Sequence, residues 1–281
     1  MSVVVATTLA EALAAVAASP GASVVAGGTD LMVEFNAGHR RAVDVVVVNR
    51  VAELCTWRLD GHQLHIGAGV TWTQVEHELA QYVPALAEAA RTVGSPQIRH
   101  AGTVGGNLGT CSPAGDGLPV LAALDAVVHL ASADGARSLP IDQFMVGPKR
   151  TALQPAELIT GVTVPVLHGY QGYTKVGVRN AMVIATASVA LVTDLQGATV
   201  RLALGSVGPT VLRCPDAEAF AAGYIGGTVT DEVARQFGEL ARSAARPIDD
   251  HRSTAAYRRH SVGVLAGRLL QRAARANGAL S

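Results

Sequence analysis

Two glycine-rich bends constrain this chain more than any other feature: Ala26-Gly27-Gly28-Thr29-Asp30-Leu31 and Thr103-Val104-Gly105-Gly106-Asn107. The first follows an apolar run, Ser23–Val25, and precedes a helix-compatible stretch, Leu31–Asn36. Paired glycines remove two side chains and open the left-handed backbone region, so successive N–H groups can converge on an anion. A helix starting beside such a bend adds unpaired donors and the positive end of its dipole. One bend of this kind reads equally well as a plain strand-to-helix corner. Two, each with a hydroxyl or amide beside the glycines, point to an extended ligand that carries phosphate. No Gly-Lys-Ser/Thr follows, which excludes a Walker A loop. Gly67-Ala68-Gly69 lacks the third glycine of a dinucleotide fingerprint and reads as a turn after a strand.

The 281 residues are 49% hydrophobic, enough to bury the cores of two or three domains. Aromatic residues make up only 4% and the formal net charge is zero, so neither a base-stacking surface nor a basic footprint for nucleic acid is present. No apolar run is long enough for a membrane span. No basic segment precedes an apolar one near Met1, so no secretory signal is expected. Cys55, Cys111 and Cys214 are odd in number and widely spaced, which fits a reducing cytoplasm and cannot supply four thiolates to an iron–sulfur cluster. His39, His62, His65, His77 and His100 show no metal-ligand spacing, and no metal site is expected.

Along the chain, Leu9–Ala18 reads as a helix and residues 44–48 as a buried strand; with Ser23–Val25 they form a small βαβ unit of about fifty residues. Asp60-Gly61 between residues 57–59 and 63–66 signals a hairpin. Thr71-Trp72-Thr73-Gln74 opens a helix to about Gln81 with a capping box, and Gln74, Glu76 and Glu78 read as its solvated face. A second helix spans Pro84–Thr92. Residues 94–116, rich in Gly and Pro, read as a long functional loop. Residues 117–124 look helical and 126–130 like a strand, closed by a turn at Asp134-Gly135. Residues 140–165 read as an inter-domain connection. Residues 173–178, 185–195 and 199–206 then predict an antiparallel meander, and 216–222, 231–242 and 253–277 predict helices. The last is Arg-rich, a solvated face or a docking surface.

Around the second bend lie Ile98-Arg99-His100-Ala101-Gly102 and Ser112-Pro113-Ala114-Gly115-Asp116. Asp116 can cap the helix at Gly117 or accept from a ligand; Arg99 can be a surface charge or pair with phosphate. With Ala-Gly-Gly-Thr-Asp-Leu upstream, these segments resemble the flavoprotein subunit of the molybdenum hydroxylases, the family of the carbon monoxide dehydrogenase medium subunit and the xanthine dehydrogenase FAD domain. Glu157-Leu158-Ile159 leading to Pro165, Tyr173-Thr174-Lys175, and Asp250-His251-Arg252-Ser253 with Tyr257-Arg258-Arg259 extend the resemblance over nearly the whole chain.

The resemblance implies an α+β fold: a PCMH-type two-part FAD-binding region over residues 1–168, with subdomains of about 1–50 and 51–168, followed by a CO-dehydrogenase-flavoprotein-like α/β domain over 169–281. It implies that Ala26, Gly27, Gly28, Thr29, Asp30, Leu31, Thr103, Val104, Gly105, Gly106 and Asn107 hold the FAD pyrophosphate through backbone N–H groups. Gly94, Asp116, Ile159 and Lys175 match flavin-touching positions, although Ile159 also reads as ordinary core and Lys175 as a solvated strand residue. Iron–sulfur clusters and molybdopterin are then expected on a small and a large partner subunit, with this chain passing electrons to an external acceptor in the cytoplasm. No general acid or base is assigned, because the cofactor supplies the redox chemistry. Two alternatives remain at this stage: a free-standing FAD oxidoreductase acting directly on an organic substrate, and a binding module that has lost the flavin. In Arg179-Asn180-Ala181-Met182-Val183-Ile184-Ala185, Val183 stands where relatives often carry Asp, which puts NAD as acceptor in doubt.

Overall fold

The computed structural model describes residues 2–39, 41 and 43–278. The first unit comprises β1 (Val3–Val5), α1 (Leu9–Ala18), β2 (Ser23–Val25), α2 (Leu31–Asn36) and β3 (Val45–Val47), with a parallel sheet in the order β1-β3-β2. Helix α1 starts in a capping box: Thr8 accepts from the Glu11 amide and the Glu11 carboxylate accepts from the Thr8 amide. Ala12 and Val16, four residues apart, put the buried stripe of α1 on this sheet. The unit's core is small, and Leu158 from far along the chain completes it. Strand β1 was not anticipated; three consecutive valines, all exposed, carry no alternation to read.

The second unit begins with the hairpin β4 (Trp57–Asp60) and β5 (Gln63–Gly67). The helices α3 (Trp72–Glu78), α4 (Pro84–Thr92), α5 (Pro96–Ala101), α6 (Val104–Thr110) and α7 (Gly117–Ala123) follow. Then come β6 (Val127–Ser132), β7 (Gly135–Pro140), α8 (Ile141–Phe144), the ribbon β8 (Met145–Gly147) with β9 (Arg150–Thr151), and β10 (Leu158–Pro165). The antiparallel five-stranded sheet runs β4-β5-β10-β6-β7. The structure departs from the sequence pattern in two segments. Residues 94–116 are mostly helical, because Ser95 and Thr103 each cap a short helix and Pro96 occupies a first-turn position where its missing N–H costs nothing. Residues 140–165 are no connection, since they end in the central strand of the sheet. Val162 and Val164 of β10 lie in the main core, while a bulge between Ile159 and Gly161 turns Leu158 to the core of the first unit.

The face of α3 read as solvated is partnered as well, with Glu78 exposed and Gln74 and Glu76 half-buried. Gln74 completes the capping box, Glu76 pairs with Arg99 at 3.3 Å, and Glu78 accepts from Trp57 Nε1 at 2.7 Å.

The third unit is the expected antiparallel meander, β11 (Gln171–Val176), β12 (Ala187–Asp194) and β13 (Thr199–Gly205), with β14 (Leu212–Arg213) on its edge. Helices α9 (Pro215–Ala222), α10 (Asp231–Ala244) and α11 (Ala255–Gly278) enclose its second core. In the Arg-rich helix, Arg258 is buried. It donates to the carbonyls of Thr186 (3.0 Å) and Ser206 (2.8 Å) and to Asp250 (2.6 Å), which pins α11 to the sheet. Burial pushes the Asp250 carboxyl up, but the Arg252 amide, the Arg258 guanidinium and the Ser253 amide outweigh it and hold it below the ordinary aspartate range. A carboxyl depressed in the fold contributes stability above its unfolded pKa, and that stability is lost as pH falls through the folded value. Asp250→Asn is therefore expected to cost about 1–3 kcal/mol at neutral pH and to flatten the acid-side decline below about pH 4. Urea titrations from neutral to acid pH measure both; an unaltered acid limb would detach this staple from the Asp250 carboxylate.

Candidate functional site

The two bends, which start 77 residues apart, share one wall. A Cβ at Gly27 would lie 1.8 Å from the Ala101 carbonyl oxygen, so only glycine lets the first bend lie against the α5–α6 junction. A Cβ at Gly102 would reach 3.4 Å from Thr29 Oγ1, and Thr110 Oγ1 donates to Asp30 Oδ2 at 3.3 Å. Gly28 is left-handed, with φ +69°. The bends border a cleft of about 660 Å3 that Gly94, Asp116, Ile159 and Val183 also line. That size lies within the range of small-molecule and cofactor sites.

The two bends differ in their donors. Among the described residues, the amides of Gly27, Gly28, Thr29 and Asp30 find no protein acceptor. In the second bend every amide from position 104 to 107 is committed: Val104 to the Val70 carbonyl, Gly105 to Ala68, Gly106 to Thr103 Oγ1 and Asn107 to the Thr103 carbonyl. This second bend is the first turn of α6, capped by Thr103. The role expected for its glycines changes accordingly. A Cβ at Gly105 would come within 2.6 Å of Ala68, so that glycine serves helix packing, whereas Gly106 would meet only Thr103 Oγ1 at 3.1 Å. What the second bend does offer is Asn107, whose buried Oδ1 has no hydrogen-bond partner.

Asp116 does not cap α7. Its Oδ1 accepts from the Tyr173 hydroxyl and its Oδ2 from Lys175 Nζ, both at 2.7 Å. Lys175 also donates to the carbonyls of Thr92 (2.9 Å) and Val183 (3.0 Å), which uses its three hydrogens. Both charged side chains are only 9% exposed. Burial pushes the Asp116 carboxyl up, against the pull of Lys175 and Tyr173, and burial and the neighbouring carboxylate push the Tyr173 phenol well up. The clasp ties α4, α7, β11 and the 177–186 loop together. Val183 takes part through its carbonyl, so the missing Asp side chain does not disturb it. Arg99 turns away from the cleft, toward Glu76 and the carbonyls of Val93 and Gly94. Of the remaining expected residues, Ala26 packs against the first core, Leu31 opens α2 on the cleft wall, and Val104 is fully buried.

Free amides at residues 27–30 and an apolar wall of Leu153, Leu158, Ile159 and Ile184 match a molecule with an anionic middle and a flat heteroaromatic end, as FAD is. Residues not anticipated from the sequence include Lys149 and Glu34 at the rim, paired at 2.6 Å, and the exposed apolar Met182 and Ile184. The Gly-Pro turn before Lys149 was the available signal. No cluster of His, Cys, Asp or Glu among the described residues could hold a metal, and no described helix is long and apolar enough to cross a membrane.

Residues 1–167 match the FAD-binding domain in molybdopterin dehydrogenase, and residues 172–273 the CO dehydrogenase flavoprotein C-terminal domain. The chain is 33% identical to the glyceraldehyde dehydrogenase medium chain of Sulfolobus acidocaldarius, over 94% of this chain and 95% of that one. It is 38% identical to the nicotinate dehydrogenase FAD-subunit of Eubacterium barkeri, in a match spanning 58% of this chain and 57% of that relative. A chain of carbon monoxide dehydrogenase from Hydrogenophaga pseudoflava superposes with a TM-score of 0.85 at 30% identity, covering 99% of this chain and 97% of that one. With the cleft, both domain matches and relatives of nearly full length in agreement, the chain belongs to the flavoprotein family of the molybdopterin dehydrogenases and is an FAD-binding oxidoreductase subunit.

Proposed function

We propose that this chain is the electron-transfer subunit of a molybdenum-containing hydroxylase, relaying electrons from iron–sulfur clusters on a small partner subunit to an external acceptor while a large partner subunit holds the molybdenum. One observation carries this reading: four unpaired amides, at residues 27–30, belong to the lining of a cleft that Asn107, with its buried and unpartnered Oδ1, also borders. The amides of Gly27, Gly28, Thr29 and Asp30 bind the diphosphate, and Gly106 lines the same cleft. Ile159 and Gly94 border the ring system. Asp116 and Lys175 act as one unit that positions the 177–186 loop. The flavin, when bound, supplies the exchange between one-electron and two-electron transfer; the chain supplies position and keeps water from one face. Residues 1–168 form the FAD-binding domain, in two subdomains, and 169–281 the C-terminal domain. Relatives named as medium chains support a complex of several subunits, and the three free cysteines fit the cytoplasm.

The test is to co-express the chain with a cysteine-rich and a molybdopterin-binding subunit and to record the visible spectrum of the purified complex. Flavin bands that bleach when an oxidisable substrate is added to the complex, but not to the isolated flavoprotein, are the expected result. A colourless chain that takes up no FAD, or direct reduction of the isolated chain by substrate, would overturn the proposal.

A further inference from the structure

An ion pair lies among the residues that line the cleft. Lys149 sits at the tip of the β8–β9 ribbon in left-handed backbone, φ 54°, and its Nζ lies 2.6 Å from Glu34 Oε1 on α2. The Lys149 amide donates to the Cys111 carbonyl at 3.0 Å, which anchors the ribbon tip to the end of α6. Among the described residues, Lys149 is the one cationic side chain that lines the cleft; Asp30, Glu34, Asp116 and Glu157 are its carboxylates. Two of these four are neutralised from behind, Asp116 by Lys175 and Glu157 by Arg137 at 2.6 Å.

A diphosphate brings two further negative charges toward Asp30 and Glu34. Backbone amides answer with partial charges only, whereas an ammonium answers with a full one. The Lys149 side chain is 57% exposed, so its pair with Glu34 is of the weak, solvent-screened kind that a phosphate displaces readily. We propose that Lys149 is an exchangeable latch, bound to Glu34 across the open cleft and to the diphosphate of a dinucleotide once one is seated. The latch rests on the cleft being a dinucleotide site and adds a residue to it. The diphosphate can belong to the chain's own FAD or to a nicotinamide dinucleotide arriving as acceptor. Glu34 holds the Lys149 ammonium above the ordinary lysine range, so the charge is present at every working pH.

The experiment uses the full chain. FAD dissociation constants are measured by flavin fluorescence quenching for the wild type, Lys149→Ala, Lys149→Arg and Glu34→Gln, at low and high salt. ADP-ribose affinity of the FAD-loaded proteins is measured by calorimetry, with melting curves as a control for folding. The expected result is about tenfold weaker FAD binding in Lys149→Ala, with a flatter salt dependence, near-normal binding in Lys149→Arg and tighter binding in Glu34→Gln. Unchanged FAD affinity with ADP-ribose weakened about tenfold also supports the latch and assigns the diphosphate to the acceptor. Wild-type affinity of Lys149→Ala for both compounds overturns the latch alone. A wild-type chain that binds neither removes the latch and the cofactor reading together.

Discussion

Gly27→Ala is expected to weaken FAD binding about a hundredfold while Gly106→Ala leaves it within a few-fold of wild type. The difference follows from what each new methyl meets. At position 27 it would overlap the Ala101 carbonyl at 1.8 Å, and a backbone atom cannot swing aside. Overpacking of this kind costs about 1–3 kcal/mol, sometimes more. The strain is relieved only by lifting the first bend off the α5–α6 junction, which carries its four donors away from the cleft. At position 106 the methyl meets one hydroxyl oxygen at 3.1 Å, and a small shift of Thr103 accommodates it. Flavin titrations of the two variants decide the matter. Equal affinity in both would mean that the register of the first bend does not control the site.

Lys175→Met is expected to cost the fold about 3–5 kcal/mol, because it strands the Asp116 carboxylate in a buried site and leaves the Thr92 and Val183 carbonyls without a donor. In a chain of this size the melting temperature should fall by about 10 °C. Adding Asp116→Asn to Lys175→Met should return part of that loss, since the uncompensated charge is then gone. Thermal melts of the two single variants and the double variant measure the coupling. Additive losses would show that the two side chains do not act as a pair.

The sequence made the architecture legible wherever periodicity was long or punctuation strong. The Asp60-Gly61 hairpin, the Thr71–Gln74 capping box, the helix Pro84–Thr92 and the C-terminal meander all appear where pattern placed them. It misled where helices were short and glycine-bearing. Helices α5 and α6 span six and seven residues, too few for an apolar stripe, and their composition imitates a loop. β10 was hidden by Gly161 and by the bulge beside it, which breaks the alternation. At the site, the positions of both bends were readable but the division of labour was not. Which amides are already spent depends on Val70 and Ala68, residues some thirty-five positions away from α6. The Asp116–Lys175 contact and the Lys149–Glu34 contact join residues 59 and 115 positions apart, and no local pattern announces either.

The bulge in β10 has an architectural consequence. A regular strand sends alternate residues to the same side, so Leu158 and Val162 would share a neighbour. The one surplus residue reverses the near half of the strand, and a single segment thereby serves as keystone for two adjoining units. Deleting Thr160 would take out the surplus residue yet leave Leu158 and Val162 an odd number of positions apart, on opposite faces of a regular ladder, so the coupling of the two units that form the cleft is expected to survive it.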